Sequence, residues 1–133
     1  MPFERYTNIS KSLKVGNTNV LILDSIGQLA NAYNYGDIAY IGGGFSGRLH
    51  NILEPSVFGL PVIFGPKHNR FPEASFFIEN KIALSIHDEK ELIDAIKKFE
   101  ASYPTLKNDI ISLIDKQKGA ATKIEKFVTS ESF

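Results

Sequence analysis

The chain has 133 residues, about one domain and enough for a single core. Its hydrophobic fraction of 43% and charged fraction of 23% are ordinary for a globular protein, and 15 basic residues balance 15 acidic ones. No basic excess draws it to nucleic acid or anionic lipid, so a site for an anionic ligand has to be local: a loop, a helix end, a few cations. The absence of cysteine excludes disulfides and thiolate–metal sites and favours an intracellular setting. No run approaches the roughly 18 apolar residues of a membrane span. Glu4 and Arg5 place charge where a signal peptide needs an apolar stretch, so the chain as given is expected to be soluble.

Taken in order, residues 3–13 are polar with apolar marks at Phe3, Tyr6, Ile9 and Leu13, a spacing that predicts a short amphipathic helix. Asn19 to Asp24 is an unbroken apolar run and reads as a strand buried on both faces. Ser25 with Gln28 forms a capping box for a helix carrying Ile26, Leu29, Ala30 and Tyr33, closed by Gly36. Asp37 to Gly42 is a second strand. A glycine loop follows, then a helix that begins within 48–55 and ends near Phe58, with Pro55 in its first turn. Pro61 to Gly65 is a third strand. The loop Pro66–Asn69 leads to a helix of about 71–80, and Ile82 to Ile86 is a fourth strand. Asp88, with Glu91 at the box position, caps a helix whose buried stripe is Leu92, Ala95, Ile96 and Phe99. The tail from Pro104 to Val128 reads as helix, broken near Gly119, with Leu106, Ile110, Leu113 and Ile114 facing inward. This alternation predicts an α/β domain with a Rossmann-like parallel sheet of about four strands flanked by helices, one domain over 1–133.

Ligands of open α/β sheets sit beyond the carboxyl ends of the strands. That rule selects Asp24–Ser25, the loop 42–51, Gly65 to Arg70, and Ile86 to Asp88. The loop Gly42-Gly43-Gly44-Phe45-Ser46-Gly47 carries the sharpest signal. Three adjacent glycines let backbone N–H groups approach a phosphate, and a following helix offers its own N–H groups and dipole. A tight turn that binds nothing is the alternative. Gly42, Gly44 and Gly47 also satisfy G-x-G-x-x-G, but an NAD site needs an acid at the end of the next strand, where Gly65-Pro66-Lys67 stands instead. An NADP reading survives through Lys67 or Arg70.

Arg48, His50, Asn51 and Glu54 cluster after the loop. Asn51 and Glu54, three apart, would share a helix face, with the Glu54 carboxylate placed for ribose hydroxyls. A solvated acid or a capping contact is the alternative for Asn51 and Glu54, and a helix-cap or loop histidine for His50. Lys67, His68, Asn69 and Arg70 form a basic run that suits an anionic sugar or phosphate, or plain solvated surface. No hydrolytic triad and no metal-ligand spacing is visible, so no metal is expected, and outside the NADP alternative no cofactor is expected either. The aromatic residues follow core spacing, which argues against a nucleic-acid platform.

Four segments together resemble the C-terminal half of 3-deoxy-D-manno-octulosonic acid (Kdo) transferases. They are Asp24-Ser25-Ile26-Gly27-Gln28-Leu29, Ile38-Ala39-Tyr40-Ile41-Gly42-Gly43-Gly44-Phe45, His50-Asn51-Ile52-Leu53-Glu54-Pro55 and Gly59-Leu60-Pro61-Val62-Ile63-Phe64-Gly65-Pro66. The resemblance runs from about residue 19 to 87, with a compatible tail at Gly119-Ala120. The family commonly has Glu where this chain has Gln28. The resemblance implies a GT-B glycosyltransferase of two Rossmann-like domains facing across a cleft, moving Kdo from CMP-Kdo to lipid A precursor without a metal. It places that enzyme at the cytoplasmic face of the Gram-negative inner membrane, in lipopolysaccharide synthesis. It puts the general base and the membrane-anchoring segment in an N-terminal domain that this chain lacks, so the chain reads as a piece of a longer enzyme with no catalytic residue of its own. The donor-binding set expected is Gly42, Gly43, Gly44, Phe45, Ser46, Gly47, Arg48, His50, Asn51, Glu54, Lys67 and His68, with ribose on Glu54. Another GT-B nucleotide-sugar domain, or a non-catalytic nucleotide-binding module, is the alternative.

Overall fold

A computed structural model of the chain describes residues 3–5, 19–23, 29–103 and 105–131. They fall into two compact units, Met1–Tyr35 and Gly36–Phe133.

In the first unit, β1 (Phe3–Arg5) pairs in parallel with β2 (Val20–Ile22), Glu4 opposite Leu21, and α1 (Leu29–Tyr33) follows. The helix expected over 3–13 is therefore a strand at its start. Local spacing suggested a helix, but pairing with an apolar strand far along the sequence decides the conformation, as tertiary context often does. The rest of that segment lies outside the described residues, as do the strand-exit residue Asp24 and the expected capping box of Ser25 and Gln28. β2 is not buried on both faces: Leu21 and Ile22 are exposed. A two-stranded sheet gives its strands little cover, and α1 buries none of its residues.

The second unit holds β3 (Ala39–Ile41), α2 (Leu53–Val57), β4 (Val62–Phe64), α3 (Pro72–Glu79), β5 (Ala83–Ser85), α4 (Glu89–Ser102) and α5 (Thr105–Glu131). Its sheet has the order β3-β4-β5, all parallel, with Tyr40, Ile63 and Leu84 in one register row. The structure thus gives this sheet three of the four expected strands, and the remaining one pairs with β1 in the other unit. The central strand β4 is the apolar run Val-Ile-Phe, and all three side chains are buried. Ile63 packs with Ile86, Ala95 and Phe99, so α4 covers one face with the stripe its spacing predicts. Val62 and Phe64 point to the other face, because successive strand side chains alternate. Fully burying a side chain such as Phe64 stabilises the fold by about 1.5–3 kcal/mol.

Two helix ends aim the chain into the strands. After α2, Leu60 N–H donates to Pro55 O at 3.2 Å and Gly59 N–H to Ser56 O at 3.0 Å, with Gly59 at φ 83°. After α3, Ile82 N–H donates to Phe77 O and Lys81 N–H to Ile78 O, both at 3.0 Å, with Lys81 at φ 61°. Both are Schellman endings, and each carries a buried apolar contact into the next strand, Leu60 before β4 and Ile82 before β5.

The start of α4 follows its sequence signature. Asp88 Oδ1 accepts from Glu91 N–H at 2.8 Å, while the Glu91 carboxylate accepts from His87 N–H at 2.6 Å. The break expected near Gly119 is absent, since α5 runs through it. A glycine ends a helix when it takes the left-handed conformation, and Gly119 has no positive φ; it only weakens the helix, by about 1 kcal/mol relative to alanine.

Candidate functional site

The exits of β3 and β4 lie side by side because those strands are parallel neighbours. The loop after β3 folds back on itself. His50 N–H donates to Gly42 O at 3.0 Å and Arg48 N–H to Gly43 O at 2.9 Å, while Ser46 donates to Gly43 O through both its N–H and its hydroxyl. Gly43 and Gly47 have φ of 90° and 80°, a region that favours glycine. A Cβ on Gly43 would meet Arg48 O at 1.9 Å. The amides of Ser46 and Arg48 are therefore spent within the loop.

The helix after this loop starts at Leu53, within the expected 48–55, and has five residues. Asn51 precedes it, and its Oδ1 accepts from Leu53 N–H at 2.9 Å. Asn51 thus closes the turn that leads into α2 instead of sharing a helix face with Glu54. Glu54 stands half-buried in the first turn, where a carboxylate suits the helix dipole. The amide N–H groups and dipole expected to extend the glycine loop are displaced from it, because Leu49 and Ile52 first turn inward and are buried.

A cleft of about 560 Å³ opens between the two strand exits, lined by Ser46, Gly47, Arg48, Lys67, Asn69 and Arg70. Among the described residues it gathers three cations and no carboxylate. Glu54 is the one acid between Gly42 and Pro72, so a chain of zero net charge carries a local basic field here. Of the expected donor-binding residues, the cleft brings together Ser46, Gly47, Arg48 and Lys67. Gly42, Gly43, Gly44, Phe45, His50, Asn51, Glu54 and His68 do not line it. His50 stands over Gly42, whose added Cβ would lie 3.8 Å from the imidazole. His68 turns towards the core and meets Phe64 edge-on, ring centroids 5.4 Å apart, and its Nδ1 is buried without a hydrogen-bond partner among the described residues. Asn69 and Arg70 join the site although the expected set stopped at His68; the basic run 67–70 was the signal for them.

A second recess, about 320 Å³, lies at the β5 exit and includes His87, Glu91, Asp94 and Lys98. Its charges are mixed, and His87 Nδ1 already sits 3.0 Å from the Glu91 carboxylate, so it lacks the single sign of the first cleft. Among the described residues no helix is long and apolar enough to cross a membrane.

Known proteins resemble the chain in sequence and in fold. No family model matches the chain. A bifunctional glycosyltransferase/methyltransferase of Fusobacterium nucleatum is 29% identical over 104 residues, covering 75% of this chain and 16% of that protein. A 3-deoxy-D-manno-octulosonic acid transferase of Chlamydophila psittaci is 42% identical over 59 residues, 43% of this chain and 14% of that protein. The Aquifex aeolicus transferase of the same name is 36% identical over 77 residues, 56% of this chain and 22% of that protein. The chain therefore spans less than a quarter of the length of these relatives. Among solved structures, the C-terminal CMP-Kdo binding domain of WaaA from Acinetobacter baumannii superposes with a TM-score of 0.66 at 24% identity, over 86% of this chain and 59% of that one. Sequence and fold point the same way: the chain is similar to the 3-deoxy-D-manno-octulosonic acid transferases, and the part it resembles is their C-terminal domain, one half of a GT-B fold.

Proposed function

We propose that this chain is the donor-binding part of a Kdo transferase and that the cleft between the β3 and β4 exits holds the phosphate of CMP-Kdo. The observation that carries the reading is the convergence of Arg48, Lys67 and Arg70, from two adjacent strand exits, on one cleft that no carboxylate lines among the described residues. Cations with fixed geometry bind a phosphate through charge-assisted hydrogen bonds. The transferase relatives and the CMP-Kdo binding domain that shares the fold support the choice of ligand.

In the parent enzyme the transfer inverts the anomeric centre. An acceptor hydroxyl on lipid A precursor, deprotonated by a base outside this chain, attacks the anomeric carbon as the bond to the CMP phosphate breaks. The cleft's cations then stabilise the charge gathering on the departing phosphate, the part of such a reaction that electrostatics serves best. Glu54 takes the ribose and Asn51 holds the turn that presents it. The N-terminal domain packs across the cleft and brings the acceptor at the cytoplasmic face of the inner membrane. The chain by itself binds donor and catalyses nothing.

Calorimetric titration with CMP and NADP side by side tests the reading. Saturable binding of CMP, with NADP weaker, is expected. Tighter binding of NADP would replace the sugar-nucleotide reading with a dinucleotide one, and heat from neither would leave the loop as a turn.

A further inference from the structure

Gly44 and Gly65 are glycines for a reason other than backbone conformation, since neither has a positive φ. What they share is proximity. A Cβ on Gly44 would lie 2.5 Å from Gly65 N and 2.8 Å from Gly65 Cα; a Cβ on Gly65 would lie 2.7 Å from Gly44 C and 2.6 Å from Phe45 Cδ2. Gly44 and Gly65 meet backbone to backbone, a contact that no side-chain rotation relieves, with the Phe45 ring beside it. Lys67 N–H donates to Gly44 O at 2.7 Å beside this contact, and the half-exposed Phe45 ring lies against Gly65. Three interactions thus fasten the loop carrying Arg48 to the loop carrying Lys67 and Arg70.

We propose that Gly44 and Gly65 are positioning residues for the basic cleft: their contact locks the two loops together and sets the spacing of Arg48 against Lys67 and Arg70. This rests on the reading that the cleft holds an anion. Hydrogen bonds weaken steeply with distance and angle, so a lock of this kind decides whether cations from both loops reach one phosphate. It also keeps cations of like charge close before any ligand arrives, a geometry that separate mobile loops would relax by moving apart.

The test is a double-mutant cycle on the 133-residue chain, with CMP and inorganic phosphate as probes and circular dichroism to establish the folded fraction. Gly65→Ala is expected to weaken CMP binding about tenfold, the loss of roughly one charge-assisted bond. In an Arg48→Ala background the same change is expected to cost less than about twofold, because the contact it positions is already gone. A role in general stability alone predicts equal losses in both backgrounds, and that result, or unchanged affinity of Gly65→Ala, overturns the lock. Gly44→Ala meets the same contact from the other loop and replaces Gly65→Ala if that variant does not fold. Should neither fold, hydrogen exchange in the unaltered chain decides: the Lys67 amide is expected to be protected and to slow further with CMP, and exchange as fast as an exposed loop amide overturns the lock. Failure of the unaltered chain to saturate with either probe would sink the binding reading itself, whereas saturation with an unaffected Gly65→Ala sinks only the lock.

Discussion

Arg48 and Lys67 carry most of the functional argument at the scale of single residues. Each is exposed, each comes from a different strand exit, and both line one cleft. Arg48→Ala and Lys67→Ala are each expected to lower CMP affinity by about tenfold or more, because each removes a charge-assisted contact. Calorimetry at low and physiological salt checks this, and the variants should show a flatter salt dependence than the parent chain. Lys81 is a residue whose conformation, not its charge, is informative. It sits at φ 61° in a helix ending where glycine is preferred. Lys81→Gly is expected to raise stability by roughly 1 kcal/mol, read as a higher denaturant midpoint at unchanged slope. Asn51 has a local task as well, since its side chain accepts from Leu53 N–H. Any loss of binding in Asn51→Ala therefore has to be measured alongside about 1 kcal/mol of stability lost with that hydrogen bond.

At the scale of elements, the helix endings fix where strands begin, and strands fix where the cleft opens. Gly59 shows how tightly this is built. It has φ 83°, and an added Cβ would lie 2.6 Å from Lys107 Cγ and 3.0 Å from Lys107 O of α5. Gly59→Ala combines backbone strain with overpacking and is expected to cost about 2–4 kcal/mol, visible as a large fall in thermal midpoint. Much of this level was legible in the sequence. The strands at 39–41, 62–64 and 83–85 fall inside apolar runs bounded by turn residues, Pro72 stands at the first turn of α3, and Asp88 with Glu91 marks the start of α4. What was not legible depended on partners distant in sequence. Phe3–Arg5 is a strand because Val20–Ile22 lies beside it, and α5 passes through Gly119 because nothing there takes the left-handed turn. The same holds for the site. Strand exits and basic residues announced Arg48 and Lys67, and α2 starts at Leu53, inside the expected 48–55, but the contact of Gly44 with Gly65 arises only when two loops meet.

For the molecule as a whole, the informative quantity is the contrast between a net charge of zero and a cleft that, among the described residues, has three cations and no acid. Such a local field attracts a small anion without drawing the chain onto polyanions. Non-specific DNA is accordingly expected to bind far more weakly than CMP, measurable by fluorescence anisotropy at physiological salt. The chain covers 22% or less of the Kdo transferases that it resembles, so donor binding is the part of the reaction it is proposed to perform alone. The most direct test of that claim is a titration of the isotope-labelled chain with CMP, following backbone amides. Saturable shifts are predicted at Ser46, Gly47 and Arg48 together with Lys67, Asn69 and Arg70. No response in residues 42–54 and 65–71 at millimolar CMP, a level well above a typical donor-site affinity, would contradict it.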